Sequence, residues 1–445
     1  MRHFIIERSD ADFTSHSGLA LVGMALNRHS GLAKAVDRQV PLRHGIAHSD
    51  VLHSYIGLLC LGKSDFEAVE NVRDDDFFRE ALGVSTVPSA ATLRQRLDER
   101  AAAFLPVVEE ASVVFLRSVN AQPTALDTGH VPLDADVTPF DNSNTRKEGV
   151  SRTYRGHDGY APMAAYLGRE GYCLEFELRE GKQHCQRGTP AFLARVLERA
   201  RRVSDAPLLL RLDGGNDALD NIDLVLDYDE SDEAGVDFLI KWNPRDEAPG
   251  EWLDYAEKHA HFSTPRPGKR VAVFNYQVTR YRNGYEYRLR RVMRVTERTI
   301  DKKGQALMVP EIEIEGWWTS LTLAPKKLIA LYADHGTAEQ FHSEFKTDLD
   351  IERLPSGKFA TNALVLASAA LAYNILRWLG QRGLTGPGGP VRHPAKRRRI
   401  RTVMQELMYL AARFIETGRR LKLGFSRRCV AAGVFRDLYH RLAYG

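Results

Sequence analysis

The chain has 445 residues, 43% of them hydrophobic and 27% charged, which predicts a soluble globular protein of two or three domains with ample core. Its four cysteines, Cys60, Cys173, Cys185 and Cys429, lack CxxC spacing, which argues against a zinc site or a disulfide framework and fits a reducing cytosol. The formal net charge is only +4, but residues 377–428 hold fourteen Lys/Arg against two Asp/Glu, a basic end that suggests a polyanionic partner or else a solvated tail. MRHFIIERSD has no long apolar run of the kind a signal peptide needs. The most apolar segment, Ala363–Leu376, is too short to span a bilayer and carries Asn374, so it reads as a buried helix and no membrane is expected.

In chain order, Leu19–Leu26, Val51–Leu61 and Ala101–Phe115 show the three- and four-residue apolar spacing of helices. Gly83–Leu97 reads as a turn followed by a helix capped by Ser89, projecting Arg94 and Arg96; a helix-turn-helix reader of DNA and a plain core hairpin both fit. Near Pro123 the pattern turns to strands. His130–Val137 ends in Asp134 and Asp136, which share a face; Ala161–Leu167 and Tyr172–Leu178 form a hairpin; Thr189–Arg202 is a helix. Ala206–Leu212 is a near-continuous apolar run, expected of a strand covered on both faces, and it ends in Asp213-Gly-Gly. Asp217 is placed as a cap of the helix Ala218–Tyr228, and Val236–Trp242 is a further buried strand.

Between Asn243 and Trp318, the runs Val271–Val278, Tyr285–Val295 and Met308–Ile314 alternate apolar with polar residues across turns at Asn283-Gly284 and Lys303-Gly304, which predicts an antiparallel β insertion. Trp317-Trp318 at its base suits packing better than stacking on a displaced nucleotide base. After it, Thr337 and Gln340 have the spacing of a capping box, so a helix is expected to start there. Glu339, His342 and Lys346 then fall on one helical face, with Phe341 and Phe345 as the docking stripe. An apolar helix over 363–380, a Gly/Pro-rich loop (Gly383–Pro394), the basic run Lys396–Arg401 and an amphipathic helix at about 400–417 follow. Lys396, Arg397, Arg398, Arg399 and Arg401 are expected to bind phosphates without reading bases.

Asp136, Asp213 and Glu339 thus stand at two strand ends and on a helix, where loops of an open α/β sheet leave room for a ligand. Carboxylates without Cys or His spacing prefer hard cations, Mg²⁺ or Mn²⁺, and two such ions can activate a nucleophile and stabilise the leaving oxygen of a phosphodiester. Three crowded carboxylates raise one another's pKa, so the arrangement implies metal.

The pieces LDADVTPF (Leu133–Phe140), LLLRLDGG (Leu208–Gly215) and Y-x2-H-x3-E-x6-K (Tyr332, His335, Glu339, Lys346) resemble the motifs of bacterial insertion-sequence transposases of the DDE type. HSGLAL, GKSDFEAVENVRDDDFF, PSAATLRQRLDE and the AYNIL of Ala372–Leu376 resemble the group-1 subfamily, so the likeness covers most of the chain. His335 stands where the signature has an arginine, which turns a guanidinium contact to a DNA phosphate into a weaker, pH-dependent one, and Gly214 stands where a serine is frequent.

The resemblance implies a ribonuclease-H-like mixed-sheet α/β core with an antiparallel β insertion, flanked by helical N- and C-terminal regions. The expected divisions are 1–120 (DNA binding and dimerisation), 121–242, 243–325 (insertion), 326–380 and 381–445. It implies cut-and-paste transposition by Asp136, Asp213 and Glu339 with two Mg²⁺ or Mn²⁺ ions per site, and Asp134 as an outer partner. Tyr332, His335, Lys346, Arg94, Arg96 and the basic run are the expected DNA contacts. The expected partners are double-stranded DNA (terminal inverted repeats and target) and a second copy in a homodimer, in a bacterial cytoplasm at the nucleoid. A nuclease of the same core and a catalytically silent DNA-binding protein are the rival readings.

Overall fold

The computed structural model describes residues 3–282, 284–386, 388–391, 393–418 and 420–445. Its centre is one nine-stranded mixed sheet. The strands are β1 (Val131–Val137), β2 (Met163–Leu167), β3 (Tyr172–Glu177), β4 (Leu208–Leu212), β5 (Val236–Trp242), β6 (Phe262–Arg266), β7 (Lys269–Arg282), β8 (Tyr285–Ile300) and β9 (Ala306–Thr319). Their spatial order is β6-β7-β8-β9-β5-β4-β1-β2-β3. The three central strands β1, β4 and β5 are parallel, and β4 is buried along its whole length, as its apolar run requires. Crossover helices Thr189–Arg201 and Leu219–Ser231 complete the expected β-β-β-α-β-α-β order.

The β insertion does not stand apart from this sheet. β9 pairs antiparallel with β5 (Trp317 opposite Lys241, Trp318 opposite Ile240), so the insertion prolongs the core. A helix, Pro249–His259, lies within the stretch expected to be all β. Trp317 and Trp318 are buried in packing. Trp318 Nε1 donates to Asp217 Oδ1 at 3.0 Å, and Asn243 N donates to Asp217 Oδ2 at 2.8 Å. Asp217 therefore ties the insertion to the core; it does not cap the following helix, whose N-cap is Ala218. Of the expected Asn-Gly turn, Asn283 lies outside the described residues, as do Pro387 and Arg392 of the Gly/Pro-rich loop.

Helix Ala90–Ser118 is capped as expected, Ser89 Oγ accepting from Thr92 N at 3.2 Å, but it runs for 29 residues and packs along helix Phe359–Leu384. The latter is 26 residues long, so length and composition alone would let it cross a bilayer, contrary to the shorter segment read from sequence. It is instead a core helix, apolar on all sides because protein surrounds it. Asn374 explains itself here: its Oδ1 accepts from Cys173 N (2.8 Å) and its Nδ2 donates to Cys173 O (2.7 Å), which satisfies the outer edge of β3.

Two local expectations fail. The helix bearing Glu339 does not start at Thr337, whose backbone is already helical and whose side chain makes no cap bond. Pro325 opens the run, and α, 3₁₀, α and π turns follow one another to Asp348. The amphipathic helix expected at 400–417 stops at Met408, and Ala412–Thr417 pairs with Arg420–Phe425 as a hairpin onto which Phe13–Thr14 adds a third strand.

Candidate active site

Asp136 lies at the C-terminal end of β1 and Asp213 directly follows β4. The parallel register sets Ala135 beside Leu212, so the two aspartates occupy adjacent strand ends on one face. The helical segment 338–348 crosses this end of the sheet, held by buried Phe341 and Phe345. Glu339, His342 and Lys346 project from it into a cleft of about 710 Å³ that Asp136, Asp213, Tyr332 and His335 also line. Tyr154 and Arg155, which the sequence reading did not single out, line the same cleft.

Burial, and then the neighbouring charge of Asp136, push the Asp213 carboxyl above its ordinary pKa, although Asn216 Nδ2 donates to its Oδ1 at 2.8 Å. Asp136 Oδ1 accepts from Val137 N at 2.7 Å, and its Oδ2 is 3.6 Å from His342 Nε2. His342 is fixed from the other side by the Tyr166 hydroxyl, 3.0 Å from Nδ1. Among the described residues no three His, Cys, Asp or Glu side chains are drawn together as a ligand cluster, so the three acids share a cleft without being gathered on one point. The donor set fits hard divalent cations nonetheless: it is all carboxylate oxygen, and a cation relieves the repulsion that raises Asp213.

Asp134 points into a buried cluster. Arg211 grips it through Nε (2.6 Å) and Nη2 (2.7 Å), and His335 Nδ1 lies 2.9 Å from its Oδ1. Burial opposes its charge, but Arg211 and His335 outweigh that and hold it down at about 2. Arg211 Nη1 also donates to Leu331 O at 2.9 Å, so the arginine of the R-x-D motif locks β1, β4 and the start of the Glu339 helix together. Sequence reasoning quoted this arginine within a motif without giving it a role. His335, expected as a DNA contact, thus has one ring nitrogen committed to Asp134, and 7% of the residue is exposed.

The other expected DNA contacts are also engaged. Lys346 Nζ donates to Pro139 O at 2.6 Å, and burial lowers its pKa. Tyr332 packs against Trp317, with burial and then Asp213 raising its hydroxyl pKa. Arg94 pairs with Glu67 at 2.7 Å, while Arg96 Nη1 meets His48 Nδ1 at 2.9 Å and Ile46 O at 3.3 Å, at the start of a helix too long and too deeply packed for a short recognition helix. In the basic run, Lys396 and Arg401 are exposed, but Arg397, Arg398 and Arg399 are bonded to the protein itself: Arg397 to Gln340, Arg398 to Leu384 O, Arg399 to Asp348. Three of the five side chains expected to bind phosphates are thus held by internal acceptors.

Gly171, in the hairpin between β2 and β3, supports the helix that carries Glu339. It has φ +73°, and a Cβ there would meet Phe341 Cζ at 2.3 Å. Gly171→Ala is expected to cost at least about 2 kcal/mol in urea unfolding, from overpacking and the left-handed backbone combined. It should also depress cleavage more than its stability loss explains, because Phe341 seats Glu339.

Acids at adjacent strand ends of a mixed sheet, facing a polar cleft, suit an enzyme of metal-assisted phosphoryl transfer. The chain belongs to the family described as Transposase DDE domain group 1, whose model matches residues 5–444; it is a DDE transposase, and such enzymes use divalent metal ions. Among solved structures it is similar to a piggyBac transposase synaptic complex with hairpin DNA, with a TM-score of 0.44 and 10% identity over 95% of this chain and 82% of that chain. No curated protein matches.

Proposed function

We propose that the protein moves an insertion sequence by cut and paste, with Asp136, Asp213 and Glu339 as the metal-binding acids. The observation that carries this reading is the meeting of Asp136 and Asp213, at adjacent strand ends, with Glu339 in one cleft. Two Mg²⁺ or Mn²⁺ ions, when bound there, would supply Lewis acidity at the attacking and leaving oxygens of the phosphodiester. The three acids would hold the ions, while the exposed Arg155 at the cleft offers positive charge to the DNA backbone; Lys346 and His335 would contact it only by giving up Pro139 O and Asp134. Water attacks at each end of the element, and the freed 3′-hydroxyl then attacks target DNA, without a covalent protein–DNA bond.

Terminal repeats and target DNA are the proposed partners, and a homodimer around two ends is the proposed working form. The proposed setting is the nucleoid of a bacterial cytoplasm. The test is to incubate purified protein and Mg²⁺ with the duplex flanking its own reading frame and to map the cut ends. Breaks with free 3′-hydroxyls at paired inverted repeats are expected. No breaks with either Mg²⁺ or Mn²⁺ would sink the reading, and nicks scattered without regard to the repeats would make the enzyme a nuclease.

A further inference from the structure

The arginines of the basic run converge on the helix that carries Glu339. Arg397 Nη2 donates to Gln340 Oε1 at 2.7 Å, its guanidinium lies 4.3 Å from the Phe341 ring centroid, and Nη1 is 3.6 Å from Glu344 Oε2. Arg399 Nε donates to Asp348 Oδ2 at 2.8 Å; its Nη2 donates to Thr347 Oγ1 at 2.8 Å and to Ser343 Oγ at 3.3 Å. Asp348 further accepts from Arg401 N at 3.1 Å. Between the two side chains, Arg398 O accepts from Arg377 Nη1 at 2.5 Å, and Arg377 pairs with the buried carboxylate of Glu344.

These contacts follow one line. Gln340, Ser343–Glu344 and Thr347–Asp348 recur every three to four residues, so they share a helical face beside the one formed by Glu339, His342 and Lys346. The second half of this helix, Glu344–Asp348, is a π turn, in which Leu349 N donates to Glu344 O at 3.1 Å. A π turn is rare and occurs mostly as a single turn within an α-helix, frequently at functional sites. Arg377 and Arg397 grip Glu344 at its start, and Arg399 grips Asp348 at its end, a carboxylate with no exposed surface.

We propose that Arg397 and Arg399 are positioning residues: they clamp segment 338–348 from outside so that Glu339 is held at a fixed place in the cleft, and they are not phosphate contacts. The proposal rests on Glu339 being a metal-binding acid, and its test separates the two claims.

Amide hydrogen exchange, Mn²⁺ affinity and duplex affinity across a salt series are measured on the full chain for Arg397→Gln, Arg399→Gln and the double variant. Arg397→Gln leaves Glu344 paired with Arg377, so no buried charge is stranded. Exchange within 338–348 should rise by at least about tenfold, as local opening becomes easier. Mn²⁺ affinity should fall roughly 10-fold, the low end of what losing a hydrogen-bond partner of a metal ligand does, since the arginines reach Glu339 only through its helix. Duplex affinity and its salt slope should not move, and Arg399→Lys should restore part of the protection.

Normal exchange together with a slope flattened by up to about two units in the double variant would overturn the proposal and make these residues phosphate contacts. Gln340→Met and Thr347→Val guard against general unfolding, since each breaks one clamp contact and leaves every charge paired. Unchanged exchange in both would also overturn the clamp. Glu339→Gln should lose Mn²⁺ affinity with 338–348 still protected; if it kept that affinity, the assignment of Glu339 would fail while exchange still judged the clamp.

Discussion

Asp213→Asn and Glu339→Gln are each expected to slow strand cleavage by roughly 10³-fold or more, while end-containing duplexes still bind. Metal Lewis acidity contributes several kcal/mol at the transition state, and each 1.4 kcal/mol or so is a factor of ten in rate. An amide keeps the shape of the carboxylate but loses the charge that holds the ion. The same substitution at Asp213 should have an opposite effect on stability. Its folded pKa is raised, by burial and then by Asp136, so ionisation is less favourable in the folded chain than in the unfolded one. The folded state therefore loses stability as pH rises through the raised value, and at neutral pH the ionised carboxylate is a destabilising charge. Metal-free Asp213→Asn should accordingly melt higher than the parent protein, and added Mg²⁺ should stabilise the parent more than the variant. Equal cleavage by parent and variant would remove Asp213 from the metal site, and a lower melting point for the metal-free variant would show that its ionised carboxylate is not destabilising.

That Asp136, Asp213 and Glu339 line one cleft was legible in the sequence because each sits at a break in pattern. An apolar run ends abruptly at Asp213, an alternating strand ends at Asp136, and Glu339 lies on a short helix with its own aromatic stripe. What surrounds them was not. Thr337 and Gln340 have the spacing of a helix start, but a cap is decided by the residues before it, and Pro325 had already opened the helix. The spacing of 400–417 predicts a helix to its end, although Ala412, Phe414 and Leu421, Leu423 lie in two short runs of period two on either side of Gly418. Charge density identified Lys396–Arg401 as basic, but composition carries no information on partners 50 or so residues away such as Asp348. Arg211 was hidden for the same reason: its acceptor, Asp134, is on another strand and becomes its neighbour only through the parallel register.

The Asp134–Arg211–His335 cluster should make stability depend on pH on both sides of a maximum. Asp134 ionises at about 2 when folded against an ordinary 3.8, so the stability it contributes is fully present above about pH 4 and is lost as pH falls towards 2. A shift of that size is worth roughly 2–3 kcal/mol. His335 is displaced the other way: burial lowers its pKa, but the charge of Asp134 wins and the net shift is upward. Its contribution is present below about pH 6.5 and is lost as pH rises through the raised folded value. Urea midpoints of the protein should therefore peak between about pH 4 and 6.5. Asp134→Ala should cost about 3 kcal/mol across that window, because it leaves a buried guanidinium with only the half-exposed Asp334, 3.5 Å from Nη1, as its acid partner. Asp134→Asn should be milder and should flatten both limbs, while His335→Gln should remove the alkaline limb and only weaken the acid one, where Arg211 still holds Asp134. If the acid limb of Asp134→Asn matched the parent's, the buried pair would not be the source of the pH dependence, and Arg211 would be left without the role the geometry gives it.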